Sequence, residues 1–194
     1  MKYYKLTTQS LTTHNNTQWE VGEWKTTSGI GPMCSPGWLH CYSHPELAIV
    51  LNPGHAAITN PRLWEIETDG KHTTDGLKHA TSAQRLVREF PVPVIPYEHI
   101  LMFSVLCVDK YYSSNPPREL TFWASKYLSG KVNHRPPVGD FMTRWLADVF
   151  EKRTLWDLSV ISLAQVFHSK PGIELAWERA KELAEHRSMR PVSI

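Results

Sequence analysis

Residues 91–96 read PVPVIP, and this stretch decides the fold class of the chain. Because proline fixes φ and lacks a backbone N–H, the stretch can neither continue a helix nor lie throughout in a central strand. Short runs of alternating polarity precede it, and long amphipathic segments follow it. We therefore predict an α+β protein, with a β-rich domain over residues 1–95 and an α-helical domain over residues 96–194.

The first domain contains short runs rich in β-branched and aromatic residues, each bounded by Gly, Pro, Asn or Ser. In one of them, RLWEIET, Trp64 and Ile66 share a face with a period of two, which predicts that this face lies in the core. The predicted strands are YYKLT (3–7), TQWEVGEW (17–24), GWLHCY (37–42), RLWEIET (62–68) and RLVREFPV (85–92).

One short helix is predicted between these strands, in SHPELAIVL (43–51). Ser43 is of a good N-cap type, and Glu46 stands three residues later, where it can close a capping box. Pro45 suits the first turn, because its missing N–H is not required there.

In the second domain, apolar residues recur at spacings of three and four, which predicts amphipathic helices. The apolar stripes need a covering surface. Either the helices pack on one another or on the first domain, or one aromatic face is left for a protein partner. The five predicted helices are YEHILMFSVLCVDKYY (97–112), PRELTFWASKYLSG (117–130), GDFMTRWLADVFEKR (139–153), TLWDLSVISLAQVFHS (154–169) and GIELAWERAKELAEHR (172–187).

Composition narrows the class of protein. A chain of 194 residues buries enough surface to fold without disulfides or metals, and its three cysteines are expected to stay reduced. No apolar run reaches the ~20 residues of a membrane helix, and the N-terminus lacks the apolar core of a signal peptide. We expect a cytoplasmic location and no membrane partner. The net charge of +2 does not indicate nucleic acid as a partner.

A metal site is one interpretation of the segment MCSPGWLHCYSHPELAIVL (33–51). Its cysteines are separated by six residues, unlike the close pairs of structural zinc sites. His40 and Cys41 are adjacent and would point to opposite faces of a strand. Zinc is therefore not expected, and no metal ligand is assigned. The residues considered are Cys34, His40, Cys41, His44 and His55.

The strand GWLHC (37–41), the following helix and RLWEIET resemble an ADP-ribosyltransferase-like fold. PARP-type enzymes carry a similar glycine-led aromatic strand before a helix that begins with serine, and YKLT (4–7) loosely resembles their first strand. Together with WEVGEW (19–24) and DGLK (75–78), the set resembles a family of phage and bacterial proteins with such an N-terminal domain. The resemblance covers about the first 95 residues.

The resemblance implies roles for particular residues. Tyr4 or Lys5 would stand at the first nicotinamide-pocket position, and His40 would replace the tyrosine that stacks on nicotinamide. Glu89 is the candidate catalytic glutamate, with Glu65 and Glu67 as alternatives. Neither a His-Tyr-Glu nor an Arg-Ser-Glu triad can be written onto this sequence without substitution. The implied catalytic residues are His40, Glu89 and Tyr4, and the implied NAD-binding residues are Lys5, Trp38, Ser43 and Arg62.

Cleavage of the bond to nicotinamide requires an aromatic slot, a carboxylate near the developing positive charge, and donors for the phosphates. The slot could be built from Tyr3, Tyr4, Trp24, Trp38 and Tyr42, and the phosphates could be bound by Lys5, Arg62 and Lys78.

Two classes of function follow. The first is a phage-associated, NAD-dependent ADP-ribosyltransferase-like protein that acts on a host or phage macromolecule, in the host cytoplasm if phage-encoded. The alternative is a non-catalytic phage protein-interaction module, such as an inhibitor of a host defence system or a virion component.

Overall fold

The structure is a computed structural model that describes residues 2–111, 118–137, 141–152, 163–165 and 172–188. It is an α+β protein, as predicted, and the strands of its main sheet pair antiparallel. The described residues form two compact units, one that ends at Val94 and one that begins at Ile95. Among these residues, no helix is long and apolar enough to span a bilayer.

The first unit is built around one long hairpin. Its strands are β1 (Tyr3–Thr7), β2 (Thr12–Thr13), β3 (Thr17–Gln18), β4 (Lys25–Thr26), β5 (Leu39–Cys41), β6 (Arg62–Thr74) and β7 (His79–Phe90), with helix α1 (Pro45–His55) between β5 and β6. Strands β6 and β7 pair along their length, β1 adds to β6, and both β4 and β5 add to the other edge of β7. The separate pair β2–β3 flanks a 3-10 turn at His14–Asn16.

Tyr4 and Tyr42 join two edges of this sheet. Each donates its backbone N–H to the carbonyl of the other at 2.8 Å. Since Tyr42 directly follows β5, the bridge brings β1 next to β5 and curls the sheet back on itself. This closure places the middle of β1 beside the residues of β5 that were predicted to carry the site.

The core of the first unit confirms the predicted inner face of RLWEIET. Trp64 and Ile66 are buried together with Leu86, Leu39 and Trp19. The indole of Trp64 donates to the hydroxyl of Thr7 at 3.1 Å, which satisfies its buried N–H.

Two local predictions for the first unit were wrong. TQWEVGEW is not a continuous strand over residues 17–24: its strand is limited to Thr17–Gln18, Val21 forms only an isolated bridge with Leu86, and Gly22 has a φ of +85° that breaks the extended run. Ser43 does not cap α1, which begins at Pro45 with His44 in the N-cap position and no side-chain capping bond. The helix starts one residue later than the capping box requires, although proline does occupy its first turn as predicted.

The second unit contains helices α2 (Tyr97–Tyr111), α3 (Arg118–Leu128), α4 (Phe141–Lys152) and α5 (Ile173–Ser188). These confirm four of the five predicted helices; most of the segment predicted at 154–169 lies outside the described residues. Helix α2 is buried against α4 and α5, where Phe103 meets Trp177 edge to face with ring centroids 5.4 Å apart. Gly130, at φ +74°, ends α3 by donating to the carbonyl of Tyr127.

Candidate functional site: a cationic pocket in the first unit

A pocket of about 400 Å³ opens beside β1 and β5 in the first unit. Its wall includes the indoles of Trp19 and Trp38 and three lysines, Lys5, Lys25 and Lys78. No aspartate or glutamate is among the described residues that line it. The pocket is therefore cationic and partly aromatic, a combination that suits an anionic ligand with a planar group.

Lys5 is the buried cation of this pocket. The residue is 6% exposed, and its ammonium donates to the carbonyl oxygen of His40 and lies 4.7 Å from the centroid of the Trp19 ring. Among the described residues, no carboxylate lies within ion-pair distance of its Nζ. Burial lowers the pKa of Lys5 from 10.5 to about 8, because desolvation penalises the charged form more than the neighbouring Cys41 thiol favours it.

His40 is fixed by the loop that precedes β5. Its Nε2 donates to the carbonyl of Met33 at 2.6 Å, which leaves Nδ1 as the acceptor nitrogen of a neutral ring. Burial lowers the pKa of His40, and the nearby charges of Lys78 and Lys5 lower it further. The ring is thus neutral near pH 7.

Tyr42 and His55 form a second pair in the wall. The Tyr42 hydroxyl and Nδ1 of His55 share a hydrogen bond of 2.9 Å, and the two rings stack with planes 16° apart. Burial raises the pKa of Tyr42 and lowers that of His55 to about 4, so that both groups are neutral near pH 7.

Lys78 lies at the mouth of the pocket, at the end of the β6–β7 turn. Its ammonium donates to the thiol sulfur of Cys34 at 3.7 Å. The turn is fixed by Asp75, whose Oδ1 accepts from the backbone N–H groups of Leu77 and Lys78, each at 3.0 Å. Asp75 does not line the pocket, but its charge raises the pKa values of His40 and His55 against the larger effect of burial.

The loop before β5 has little freedom. Trp38 donates from its indole to the carbonyl of Gly31 at 2.9 Å, and Gly29 donates to the carbonyl of Gly37 at 2.9 Å. A Cβ on Gly37 would collide with the carbonyl oxygen of Ile30. The indole of Trp38 is therefore held at the wall before any ligand arrives.

The structure brings together only part of the predicted site. Lys5, Trp38 and His40 line one pocket, and so do Tyr42 and Lys78. Lys5 and Trp38, for which the resemblance implied ligand-binding roles, thus lie in the wall of the same pocket.

The other predicted residues do not line this pocket. Tyr4 is buried and packs edge to face on Phe90, with ring centroids 5.3 Å apart. Arg62 and Glu89 bind each other in an exposed ion pair at 2.7 Å, and this pairing lowers the pKa of the Glu89 carboxyl. Ser43 lies between β5 and α1 and is not part of the pocket wall.

The alternative glutamates also have partners on the hairpin. Glu65 binds both Lys2, at 3.0 Å, and Arg88, and Glu67 binds Arg85. In this arrangement all three predicted candidates for the catalytic acid are neutralised by cations.

Several lining residues were not predicted for the ligand site, and Trp19, Lys25 and His55 matter most among them for its chemistry. Trp19 lies in the segment 17–24 that was expected to be a strand, Lys25 follows that segment directly, and His55 was considered only as a metal ligand. The sequence does not distinguish these residues as parts of a site, because aromatic and basic residues occur in the loops of most proteins. Comparison with known proteins adds no further assignment: no family model, curated protein or solved structure matches this chain.

Proposed function

We propose that the first unit binds an anionic nucleotide of the NAD type in the cationic pocket, and that the protein is a phage-associated ADP-ribosyltransferase-like protein acting on a host or phage macromolecule. One observation carries the binding part: the ammonium of Lys5 is buried, lines an open pocket and has no carboxylate partner among the described residues. A buried charge without a counter-charge is costly, and a ligand phosphate would supply that counter-charge.

The pocket chemistry suits the parts of such a ligand. Lys25 and Lys78 would bind phosphate oxygens together with Lys5, while the indoles of Trp19 and Trp38 offer surfaces for planar rings. In this proposal the neutral imidazole of His40 would take the role that the resemblance gives to the nicotinamide-stacking tyrosine.

Calorimetric titration of the full chain with NAD tests the binding proposal. We expect NAD to bind, and Lys78→Ala to weaken binding by about tenfold because a charge-assisted hydrogen bond is lost. Lys110→Ala is the matched control, since Lys110 is an exposed lysine at the end of α2 and does not line the pocket. Absence of NAD binding by the unmodified chain would reject the proposal.

A non-catalytic protein-interaction module is the second candidate, and the distribution of acids favours it. Glycosidic cleavage of NAD needs a carboxylate near the developing positive charge. None of the described lining residues is acidic, and Glu65, Glu67 and Glu89 each bind arginine. Phe122 on α3 is 62% exposed, and an interaction module could bury this aromatic side chain against a protein partner.

Asp75 separates the two candidates, because it is the acid whose charge reaches His40 and His55. Nicotinamide release is measured chromatographically for the unmodified chain and for Asp75→Asn, whose amide oxygen can still accept the two bonds of the turn. If Asp75 stabilises the transition state, the variant binds NAD and loses release by about a hundredfold or more. Binding with no release from the unmodified chain supports the non-catalytic module.

A further inference from the structure

Lys5 has the two properties that a reactive amine requires. It lines an open pocket, and its surroundings disfavour the ammonium form: it is 6% exposed, it rests on an indole, and no described carboxylate pairs with it. Amines react with carbonyl compounds only when unprotonated, and desolvation is how proteins make lysine nucleophilic near neutral pH. With a pKa of about 8 instead of 10.5, its unprotonated fraction near pH 7.5 is roughly 200-fold larger than that of an exposed lysine.

We propose that Lys5 is a nucleophilic amine that captures a phosphate-bearing aldehyde or ketone in this pocket as an imine. The other lysines of the wall, Lys25 and Lys78, bind the phosphate and hold the carbonyl carbon near Nζ. The proposal rests on the proposed function only in requiring a phosphate ligand in this pocket, and it does not require NAD.

The reaction balances without an oxidant or a reductant. The lone pair of unprotonated Nζ forms a bond to the carbonyl carbon, and a proton moves from nitrogen to the former carbonyl oxygen to give a carbinolamine. The C–O bond then breaks, the oxygen leaves as water with a second proton, and a C=N bond remains. The neutral imidazoles of His40 and His55 in the same wall can exchange protons during these steps.

Pyridoxal 5′-phosphate is the probe, because it carries both an aldehyde and a phosphate and its imine absorbs visible light. The full chain is incubated with a limiting amount at about pH 7.5, where exposed lysines stay protonated. The imine is then fixed with borohydride, and the labelled lysines are identified by peptide mass spectrometry. We expect Lys5 to be labelled at least about tenfold faster than Lys110 in the same sample, because more of its amine is unprotonated.

Matched ligands and variants test each part of the proposal. Pyridoxal, which lacks the phosphate, should label Lys5 about tenfold more slowly, and pyridoxine 5′-phosphate, which lacks the carbonyl, should protect Lys5 without labelling it. Lys78→Ala should remove most of the difference between the phosphorylated and unphosphorylated aldehydes, and Lys110→Ala should leave the rate at Lys5 unchanged.

Two results would overturn the inference. One is label on exposed lysines with Lys5 unmodified, and the other is equal labelling of Lys5 by pyridoxal and its phosphate. The calorimetric titration with NAD does not depend on either labelling result. If Lys5 is labelled selectively but NAD does not bind, only the nucleotide proposal is rejected. If NAD binds but Lys5 is not labelled, only the reactive-amine proposal is rejected.

Discussion

Replacement of Lys5 by methionine should change how stability depends on pH. Burial lowers the pKa of Lys5 from 10.5 to about 8. Between these values the unfolded chain binds a proton that the folded chain does not bind, so raising the pH favours the folded state over this range. Each pKa unit corresponds to about 1.4 kcal/mol, which makes the full effect about 3 kcal/mol.

Three other buried groups act in the opposite direction at alkaline pH. Burial raises the pKa of Cys41 to about 12 and also raises the pKa values of Cys107 and Tyr42. These groups ionise first in the unfolded chain, so they lower stability as the pH rises. The charge of Lys5 lowers the pKa of Cys41 against burial, but the folded thiol stays protonated up to pH 10 with or without Lys5, so the contribution of the three groups cancels over this range when the variant is subtracted from the unmodified chain.

Urea denaturation followed by circular dichroism, at a series of pH values from 7 to 10, measures this difference. The unfolding free energy of the unmodified chain minus that of Lys5→Met should rise by about 2 to 3 kcal/mol over the series. Lys110→Met, which alters an exposed lysine, should give a flat difference. A flat difference for Lys5→Met as well would refute the view that Lys5 is a desolvated cation without a counter-charge.

Three further changes test the surroundings of the pocket. Asn52→Ala should lower the unfolding free energy by about 2 to 4 kcal/mol, because the Asn52 side chain donates to the carbonyl of Ile58 at 3.0 Å and accepts from its N–H at 3.1 Å; a loss below about 0.5 kcal/mol would contradict this. Gly37→Ala should lower the midpoint of denaturation, because a Cβ there collides with the carbonyl of Ile30; an unchanged midpoint would show that the loop can shift. In the native chain a maleimide should modify the exposed Cys34 alone, with the other two cysteines reacting only after unfolding, and early loss of a buried thiol would argue against this packing.

The fold class could be predicted because its signals are local. Proline at 91, 93 and 96 interrupts any regular element, and the change from alternation to a helical period on either side is visible without knowledge of contacts. The strand at residues 3–7 was also predicted with its observed bounds.

The length of the central hairpin could not be predicted from local pattern. Strands β6 and β7 continue through polar residues to Thr74 and His79, beyond the apolar runs that indicated them. Pairing across the turn at Asp75 and Gly76 stabilises these ends, and propensity alone does not report such pairing. The same turn delivers Lys78 to the pocket.

Only part of the site could be predicted, because the rest depends on contacts between strands that are distant in the sequence. Successive side chains of a strand point to opposite faces, so Trp38 and His40, two residues apart, could be placed on one face of their segment. Arg62 and Glu89 were assigned separate roles, but the register of β6 against β7 makes them neighbours, and they form an ion pair. Register depends on distant strand partners and cannot be read from either strand alone.

The free-energy penalty for burying the Lys5 ammonium would make the pocket strongly selective for anionic ligands. A ligand whose phosphate restored the ordinary pKa of Lys5 would recover the free energy that burial takes from the ammonium, about 3 kcal/mol near neutral pH. By linkage, such a ligand would bind roughly 100-fold more tightly than a neutral ligand with otherwise equal contacts. It would also take up protons at Lys5 when it binds above pH 8, since the free pocket is then largely unprotonated. The same residue that lowers the stability of the empty fold would therefore determine the charge of the ligand that it accepts.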